Sequence, residues 1–173
     1  LKFVKKEINK NNQVFWVCPL IEESKKIDHT SAVKKFEHLR KIFPNKVALL
    51  HGKTTSEEKE VILKKFLDNK FQILVSTTVI EVGIDFPNAN VIIIENANKF
   101  GLSQLHQLRG RVGRGEKESS CILMFKSSLT DNAKKRLQIL KDTTDGFRIS
   151  EEDMKLRGYG DILGFKQSGM KIF

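Results

Sequence analysis

Short apolar runs alternate along the chain with longer segments in which apolar residues recur every three or four positions. The runs are apolar at consecutive positions and rich in β-branched residues, which is typical of strands covered on both faces. The longer segments supply the helical connections that parallel strands need. Five strands are predicted, over residues 14–20, 46–52, 71–77, 90–96 and 120–126. The pattern therefore predicts an α/β fold with a parallel sheet flanked by helices.

Two of the connecting segments carry helix start signals. Ser31 is a plausible N-cap for a helix over 31–43, with Pro44 beyond its end. Its expected buried stripe consists of Val33, Phe36, Leu39, Ile42 and Phe43. Thr55 and Glu58 have the spacing of a capping box for the next helix. The residues of that helix expected to face the sheet are Val61, Ile62, Phe66 and Leu67.

The pattern changes after the last strand. Two helical segments follow with no strand between them, and Asp145 with Gly146 marks the turn that joins them. We predict a domain over residues 1–127 and, over 128–173, a helical hairpin with a glycine-rich tail.

Charge points to a polyanionic partner. The 173 residues include 31 Lys and Arg against 21 Asp and Glu, a net charge of +10. Basic side chains that neutralise phosphates release condensed counterions, so nucleic acid is the natural candidate. No apolar run is long enough to cross a bilayer, which predicts no membrane contact.

The two cysteines, Cys18 and Cys121, lie inside apolar strand-like runs and lack metal-ligand spacing. We expect buried core thiols. A disulfide between them remains open, but nothing else indicates an oxidising compartment, so the cytoplasm is favoured.

The stretch RGRVGRG, residues 109–115, holds three arginines and three glycines and is called the arginine segment below. Guanidinium groups match phosphate oxygens, and glycines let the backbone turn sharply near a ligand. A flexible basic loop is an equally good interpretation of this stretch taken alone.

The stretch HGKTT at 51–55 contains the GKT of a Walker A motif, but the first glycine of that motif would fall at Val47. We therefore reject a P-loop. His51, Gly52 and Lys53 still follow a strand, where ligands of open α/β folds bind, so they are candidates for phosphate-backbone contact.

A second polar group follows the third strand. Thr77 and Thr78 offer hydroxyls, Gly83 allows a turn, and the Asp85 carboxylate can accept from a ribose hydroxyl or hold an arginine. Ordinary capping and turn roles are the alternatives. These residues and the arginine segment all fall at carboxyl ends of strands or in the connections that follow.

A family resemblance joins these stretches. The block ILVSTTVIEVGIDFPNANVIIIENANKFGLSQLHQLRGRVGRG resembles motifs V and VI of the superfamily 2 helicases, in particular of the RecG family. VFWVCPLIEES and DGFRISEEDMKLRGYGDILGFKQSG are similar to RecG proteins as well. The Mfd family shares QLHQLRGRVGR, but WVCPLIEES and IENANKFGLSQ favour RecG.

The resemblance implies the second, RecA-like lobe of a P-loop NTPase type motor. ATP with Mg²⁺ would be held mainly by a first RecA-like lobe that brings the P-loop. The motif VI pattern Q-x-x-G-R-x-G-R maps onto Gln107, Gly110, Arg111, Gly113 and Arg114. Arg111 and Arg114 would be arginine fingers on the γ-phosphate.

Further roles come from the same resemblance. Gly83, Asp85 and Gln107 would lie on the nucleotide side. The DNA backbone would be contacted by His51, Gly52, Lys53, Thr77 and Thr78. Coupling of the two sites would involve Glu81, Arg136, Arg157 and Gln167. Arg109 has no implied role beyond a structural ion pair, and Tyr159 departs from the small residue or proline usual in the family.

The implied activity is that of an ATP-dependent DNA helicase that remodels branched DNA, such as stalled forks and Holliday junctions, in repair and recombination, with branched or duplex DNA as its nucleic-acid partner. Its partners would be the first lobe and an N-terminal wedge domain of the same polypeptide, and this part alone would be inactive. The alternatives are an Mfd-like duplex translocase lobe and a stand-alone basic nucleic-acid-binding module.

Overall fold

A computed structural model describes residues 1–19, 25–77, 86, 88–113 and 118–158, excluding the side chains of 25–30. Within these ranges five strands form one parallel sheet, ordered β2-β3-β1-β4-β5. The strands are β1 Gln13–Cys18, β2 Val47–Leu50, β3 Ile73–Thr77, β4 Ala89–Ile94 and β5 Ser120–Leu123. The five predicted strands and the α/β class are confirmed.

Six helices accompany the strands in the described part of the chain. They are α1 Lys2–Asn9, α2 Lys25–Ile42, α3 Ser56–Leu67, α4 Leu102–Arg109, α5 Asp131–Asp142 and α6 Gly146–Arg157. A 3-10 turn over Ala97–Lys99 precedes α4.

The core is centred on β1, β3 and β4, whose residues are all buried. Trp16 of β1 pairs with Val75 on one side and with Ile93 on the other. The Gln13 side chain, 1% exposed, donates to the carbonyls of Phe66 and Phe71 at 2.6 and 2.7 Å. This buried amide joins the start of β1 to the end of α3 and to the residues just before β3. The two hydrogen bonds matter because a buried amide without partners would cost free energy.

Two helix predictions need correction. Ser31 does not cap a helix, because α2 begins at Lys25 and continues through Ser31. Serine is accepted at an exposed position inside a helix when the residues on both sides are helical. The preference of serine for N-cap positions therefore did not identify the first residue of α2. Ile42, expected in the buried stripe, is 40% exposed, whereas Leu39 and Phe43 are buried.

The capping box of α3 is confirmed in both directions. Thr55 Oγ1 accepts from Glu58 N at 3.2 Å, and Thr55 N donates to Glu58 Oε2 at 3.0 Å. The buried residues of α3 are Leu63 and Phe66, whereas Val61 is 52% exposed. At 100° per residue Val61 lies on the face opposite Leu63 and Phe66, so its predicted burial was wrong. Leu67 flanks the stripe and is 40% exposed.

The chain divides into two compact units. Unit 1 comprises Leu1–Ala97 and Leu108–Phe125, and unit 2 comprises Asn98–Gln107 and Lys126–Phe173. The predicted domains, 1–127 and 128–173, stay a prediction. The grouping of 98–107 with the later helices was not predicted from the sequence.

In unit 2 the predicted hairpin helices are present as α5 and α6. Thr130 caps α5 by accepting from Ala133 N at 3.2 Å. Asp145 caps α6 by accepting from Phe147 N at 3.0 Å, so Gly146 is already the first helical residue.

Candidate nucleotide and nucleic-acid sites

The arginine segment is held by its backbone. Arg111 N donates to the Leu108 carbonyl at 3.1 Å, and the Arg111 carbonyl accepts from Phe86 N at 3.1 Å. Gly113 N donates to the Ala89 carbonyl at 3.0 Å. Two of these bonds come from a part of the chain more than twenty residues away, so tertiary structure fixes the path of this segment.

These bonds place Arg111 and Gly113 at the end of the sheet where the strands begin. Ala89 is the first residue of β4, and the neighbouring Asn88 carbonyl accepts from Gln13 N at the start of β1. The sequence did not reveal this location. Because β4 and β5 are parallel, the chain between them must come back from the carboxyl end of β4 to the amino end of β5. The arginine segment lies in the last part of this connection, after α4.

Gly113 is required by the local geometry. Its φ of +75° lies in the region that side chains disfavour. A Cβ at this position would stand 2.3 Å from the Cβ of Ser119. The glycine therefore allows the sharp turn predicted for this segment.

Phe86 anchors the other side of these contacts. Its ring, 1% exposed, lies 5.2 Å from Phe15 in a tilted arrangement and 5.2 Å from Phe66 edge to face. Sequence analysis overlooked Phe86 because Asp-Phe-Pro has the composition of a turn. Its signal was a large aromatic residue between polar neighbours and a proline.

Arg111 itself is partly exposed, and its guanidinium forms no hydrogen bond or ion pair with any residue that the structure describes. Gln107 is exposed on α4. Both side chains are therefore accessible to an external ligand.

A groove lies at the opposite end of the sheet, where the adjacent strands β2 and β3 finish. We call it the His51 groove. It is lined by Leu50, His51, Gly52, Thr54, Lys59, Ser76 and Thr77. The structure thus brings three predicted residues together, His51, Gly52 and Thr77. Lys53 is exposed and does not line the groove.

The turn before α3 explains why HGKTT is not a P-loop. His51 N donates to Thr54 Oγ1 at 3.1 Å, Thr54 N to the His51 carbonyl at 3.0 Å, and Lys53 N to His51 Nδ1 at 3.1 Å. With Thr55 N bonded to Glu58, these amides are satisfied internally and do not form a phosphate cradle. Because Nδ1 accepts, the neutral His51 ring carries its proton on Nε2.

Thr77 forms part of the groove floor. It is 2% exposed, and its hydroxyl is buried with no hydrogen-bond partner among the described residues. Buried polar groups are usually bonded, so an unsatisfied hydroxyl beneath the groove is an exception to the usual rule.

Lys59 is the basic residue of the groove that was not predicted from the sequence. It lies in the first turn of α3, and helical side chains lean toward the N-terminus, which directs it back to the groove. Its position one residue after the capping-box glutamate was the available signal.

The predicted coupling residues that the structure describes lie in unit 2. Arg136 Nη2 donates to the Asn98 carbonyl at 3.0 Å. Arg136 Nε and Asn98 Oδ1 are both buried without a hydrogen-bond partner in the described part of the chain. Arg157 Nε lies 3.2 Å from Asp153 Oδ2. The remaining predicted residues lie outside the described ranges: Thr78, Glu81, Gly83, Asp85, Arg114, Gln167 and Tyr159.

Both cysteines are free thiols. Burial, with the negative charge of Glu95, raises the pKa of Cys18 to about 12. Burial raises the pKa of Cys121 to about 11, opposed by the positive charge of Arg109. Cys18 is 1% exposed, which confirms a core thiol, whereas Cys121 is only partly buried on β5.

The described residues form neither a metal-ion cluster nor a membrane-spanning helix. They contain no group of three or more His, Cys, Asp or Glu arranged to hold a metal ion. None of the helices described is both long enough and apolar enough to span a membrane.

Comparison with known proteins agrees with this geometry. Residues 1–116 match the family described as helicase conserved C-terminal domain. Residues 143–173 match the C-terminal part of domain 3 of ATP-dependent DNA helicase RecG.

Individual relatives give the same result. The ATP-dependent DNA helicase RecG of Bacillus subtilis is 51% identical over all of this chain and 26% of its own length. The structure of RecG bound to a three-way DNA junction superposes with a TM-score of 0.77 at 47% identity, covering 92% of this chain and 21% of that one. The yeast DEAD-box splicing factor Prp28 shares the fold, with a TM-score of 0.66 at 22% identity over 90% of this chain and 33% of its own.

The parallel sheet, the arginine segment and the first family match together define the class: the chain belongs to the helicase conserved C-terminal domain family. The second match and about 50% identity along the whole chain show that, within that class, the chain is similar to RecG proteins. The chain spans about a quarter of the length of the curated relatives it matches.

Proposed function

We propose that this chain is the second motor lobe of a RecG-type ATP-dependent DNA helicase and is inactive alone. One observation carries the proposal. The backbone of Arg111 is fixed on both sides while its guanidinium stays accessible, at the amino end of the sheet. Arg111 is held in place and accessible, yet the HGKTT turn of this chain does not form a phosphate cradle. This combination suits a nucleotide that is held mainly by another lobe.

ATP with Mg²⁺ is the proposed cofactor, and it supplies the phosphoryl group that is transferred to water. The residues of this chain fit an accessory role. Arg111 and Arg114 neutralise charge that develops on the γ-phosphate, a contribution of about 10³–10⁵ in rate for arginine fingers. Gln107, Gly83 and Asp85 complete the nucleotide side of the proposed site.

The His51 groove is the proposed contact with the DNA backbone. His51 Nε2 and Lys59 Nζ are donors, and Gly52 gives a phosphate close access to the chain. Thr77 lies beneath them, while Lys53 and Thr78 belong to the proposed set from the sequence. The net charge of +10 favours a polyanion at this surface.

The two proposed sites lie at opposite ends of the strands. A five-residue strand such as β3 separates them by roughly 15 Å at about 3.3 Å per residue. Coupling between them therefore needs a device beyond direct contact, and we assign it to Glu81, Arg136, Arg157 and Gln167.

Arg136 supports this assignment by its contacts. It shares a hydrogen bond with Asn98, yet Nε of the arginine and Oδ1 of the asparagine remain buried and unpaired among described residues. Arg136 and Asn98 are hydrogen-bonded to each other, and each still has an unsatisfied polar atom. A small rearrangement of this contact would allow further hydrogen bonds to form. Such a junction suits a part that moves during the ATP cycle.

Branched or duplex DNA is the proposed substrate, with a first RecA-like lobe and a wedge domain on the same polypeptide as partners. The RecG structure bound to a three-way junction supports this assignment. Two free thiols fit a reducing compartment, so we place the protein in the cytoplasm, in DNA repair and recombination.

The test replaces Arg111 by alanine in the complete polypeptide that carries this chain. We expect DNA-stimulated ATP turnover to fall at least about a hundredfold, or about 2.7 kcal/mol of barrier, with DNA affinity within a few-fold. Arg40→Ala is the matched control, since Arg40 is an exposed arginine on α2 whose ion pair with Glu37 and contact with the Phe36 ring both lie on the same helix. Its turnover should equal that of the unaltered protein.

Unchanged turnover in Arg111→Ala would refute the arginine-finger role. If the native polypeptide carries no P-loop lobe, the alternative of a stand-alone nucleic-acid-binding module replaces the motor proposal.

A further inference from the structure

Strand β4 contains one residue more than its neighbour β1 at the point where the two strands begin. Asn90 is this extra residue. The strands pair Gln13 with Ala89 and then Val14 with Val91, so Asn90 forms a bulge in β4. Bulges are rare between parallel strands, and they redirect the backbone next to them. The bulge therefore sets the path of the chain at the first residues of β4.

The backbone beside the bulge holds the arginine segment. The carbonyl of Ala89, the residue before Asn90, accepts from Gly113 N at 3.0 Å. Ala89 N donates to the Phe86 carbonyl at 3.0 Å, and Phe86 N donates to the Arg111 carbonyl at 3.1 Å. These bonds lead from the bulge to both ends of the stretch that carries Arg111. A different backbone path at the bulge would therefore displace its guanidinium.

A chain of side-chain hydrogen bonds fixes the bulge. Asn90, 2% exposed, donates from Nδ2 to Asn12 Oδ1 at 2.9 Å. Asn12 is also buried, and it donates from Nδ2 to Glu7 Oε2 at 2.7 Å. Glu7 lies in the last turn of α1. Buried amides without partners would cost free energy, so this chain favours one position of Asn90.

The carboxylate of Glu7 gives the chain of hydrogen bonds its direction. An ionised carboxylate only accepts hydrogen bonds, whereas an asparagine amide donates from its nitrogen and accepts at its oxygen. Asn12 must therefore turn its nitrogen toward Glu7, which leaves its oxygen to accept from Asn90. One acidic residue on α1 thus orients both amides.

We infer that Asn90 is a positioning residue for the arginine finger, because its bulge holds the backbone that fixes Arg111. This inference rests on the proposed function and adds residues to it. All the residues involved lie in unit 1. A guanidinium stabilises a transferred phosphoryl group only where it reaches the oxygens, and a displacement of about 1 Å can cost a hundredfold in rate.

The test replaces Asn90 by alanine in the complete polypeptide that carries this chain and measures DNA-stimulated ATP turnover. We expect kcat to fall about tenfold, with KM for ATP and DNA affinity little changed, because the finger acts on charge that develops in the transition state. Asn88→Ala is the matched control, since Asn88 is exposed and keeps the backbone carbonyl that accepts from Gln13. Its kcat should equal that of the unaltered protein.

A double substitution separates positioning from a general structural effect. In Arg111→Ala the guanidinium to be positioned is gone, so adding Asn90→Ala should lower kcat no further. A residue that only stabilised the fold would lower kcat by the same factor in both backgrounds. An equal fall in the two backgrounds would therefore overturn the inference.

A second pair of variants guards against misfolding of Asn90→Ala. Glu7→Ala removes the last acceptor of the chain of hydrogen bonds and should lower kcat, whereas Glu7→Gln keeps an acceptor oxygen and should restore it. Both variants lose the ion pair with Lys10, so the difference between them isolates the hydrogen bond to Asn12.

The inference and the proposed function fail in different ways. Unchanged kcat in Glu7→Ala, with a normal melting temperature, would overturn the positioning role and leave the arginine finger in place. Unchanged turnover in Arg111→Ala would instead overturn the proposed function, and the inference with it.

Discussion

The two ends of the sheet carry sites that are built in different ways. The His51 groove takes most of its residues from one short stretch, 50–59, whose amides and hydroxyls bond to one another. Arg111 and Gly113 are held by hydrogen bonds to Phe86 and Ala89, more than twenty positions away, and the Phe86 ring is itself held by aromatic packing. The groove is thus a local structure, whereas the position of Arg111 depends on the core.

This difference predicts different failures. A substitution in the core should displace Arg111 without touching the groove, because the groove has its own hydrogen bonds. A substitution in the groove should weaken DNA contact and leave the arginine segment in place. Three experiments sharpen this contrast.

The largest expected effect is that of Phe86→Ala. Loss of a buried ring packed against Phe15 and Phe66 should destabilise the chain by about 3–5 kcal/mol. Unfolding in urea, followed by the fluorescence of Trp16, the single tryptophan, measures the change. Phe147→Ala is the control, since this ring is 83% exposed and should cost less than about 0.5 kcal/mol. Equal effects of the two substitutions would contradict the anchoring role of Phe86.

A smaller effect is expected for Lys59→Ala at the groove. Loss of one phosphate contact should weaken duplex binding several-fold and lower the slope of log affinity against log salt by about one. Basal ATP turnover without DNA should stay unchanged in the complete polypeptide. Lys64→Ala, an exposed lysine near the other end of the same helix, should change binding less. A salt slope identical to that of the unaltered protein would remove Lys59 from the DNA contact.

The last experiment concerns alkaline pH. The Cys18 thiol has a pKa of about 12 when folded against an ordinary value of 9.0, so the unfolded chain loses its proton first. Stability should therefore fall as pH rises from about 9 toward 12. Melting temperatures of Cys18→Ala should decline less steeply over this range, with Cys121→Ala intermediate because its thiol is less buried and has a pKa of about 11. Identical slopes would show that Cys18 is not buried as described.

The sheet was predictable because its central strands are buried on both faces. Mostly apolar runs in β1 and β4, rich in β-branched residues, favour strands that are covered on both faces. The capping box of α3 was predictable for a similar reason, since Thr55 and Glu58 bond within one turn. The burial of Val61 and the start of α2 were not, because they depend on how each helix is rotated against the sheet.

Site residues divide in the same way. His51, Gly52 and Thr77 were found from the sequence because they lie at or directly after the ends of neighbouring parallel strands. Lys59 was missed because it reaches the groove from a helix, and Phe86 because its partners are distant in sequence. Asn90 could not be distinguished from Asn88 without the change of register between β1 and β4.

The sequence by itself therefore determined which segments form strands and helices and which local turns cap them. It also indicated that an arginine-rich segment could bind phosphate. These features depend on periodicity and on bonds between residues a few positions apart. Only the tertiary structure decided that the arginine segment and the His51 groove lie at opposite ends of the sheet, and which residues hold each in place. Contacts between segments far apart in the chain leave no fixed spacing in the sequence, so they emerge only when the core is packed.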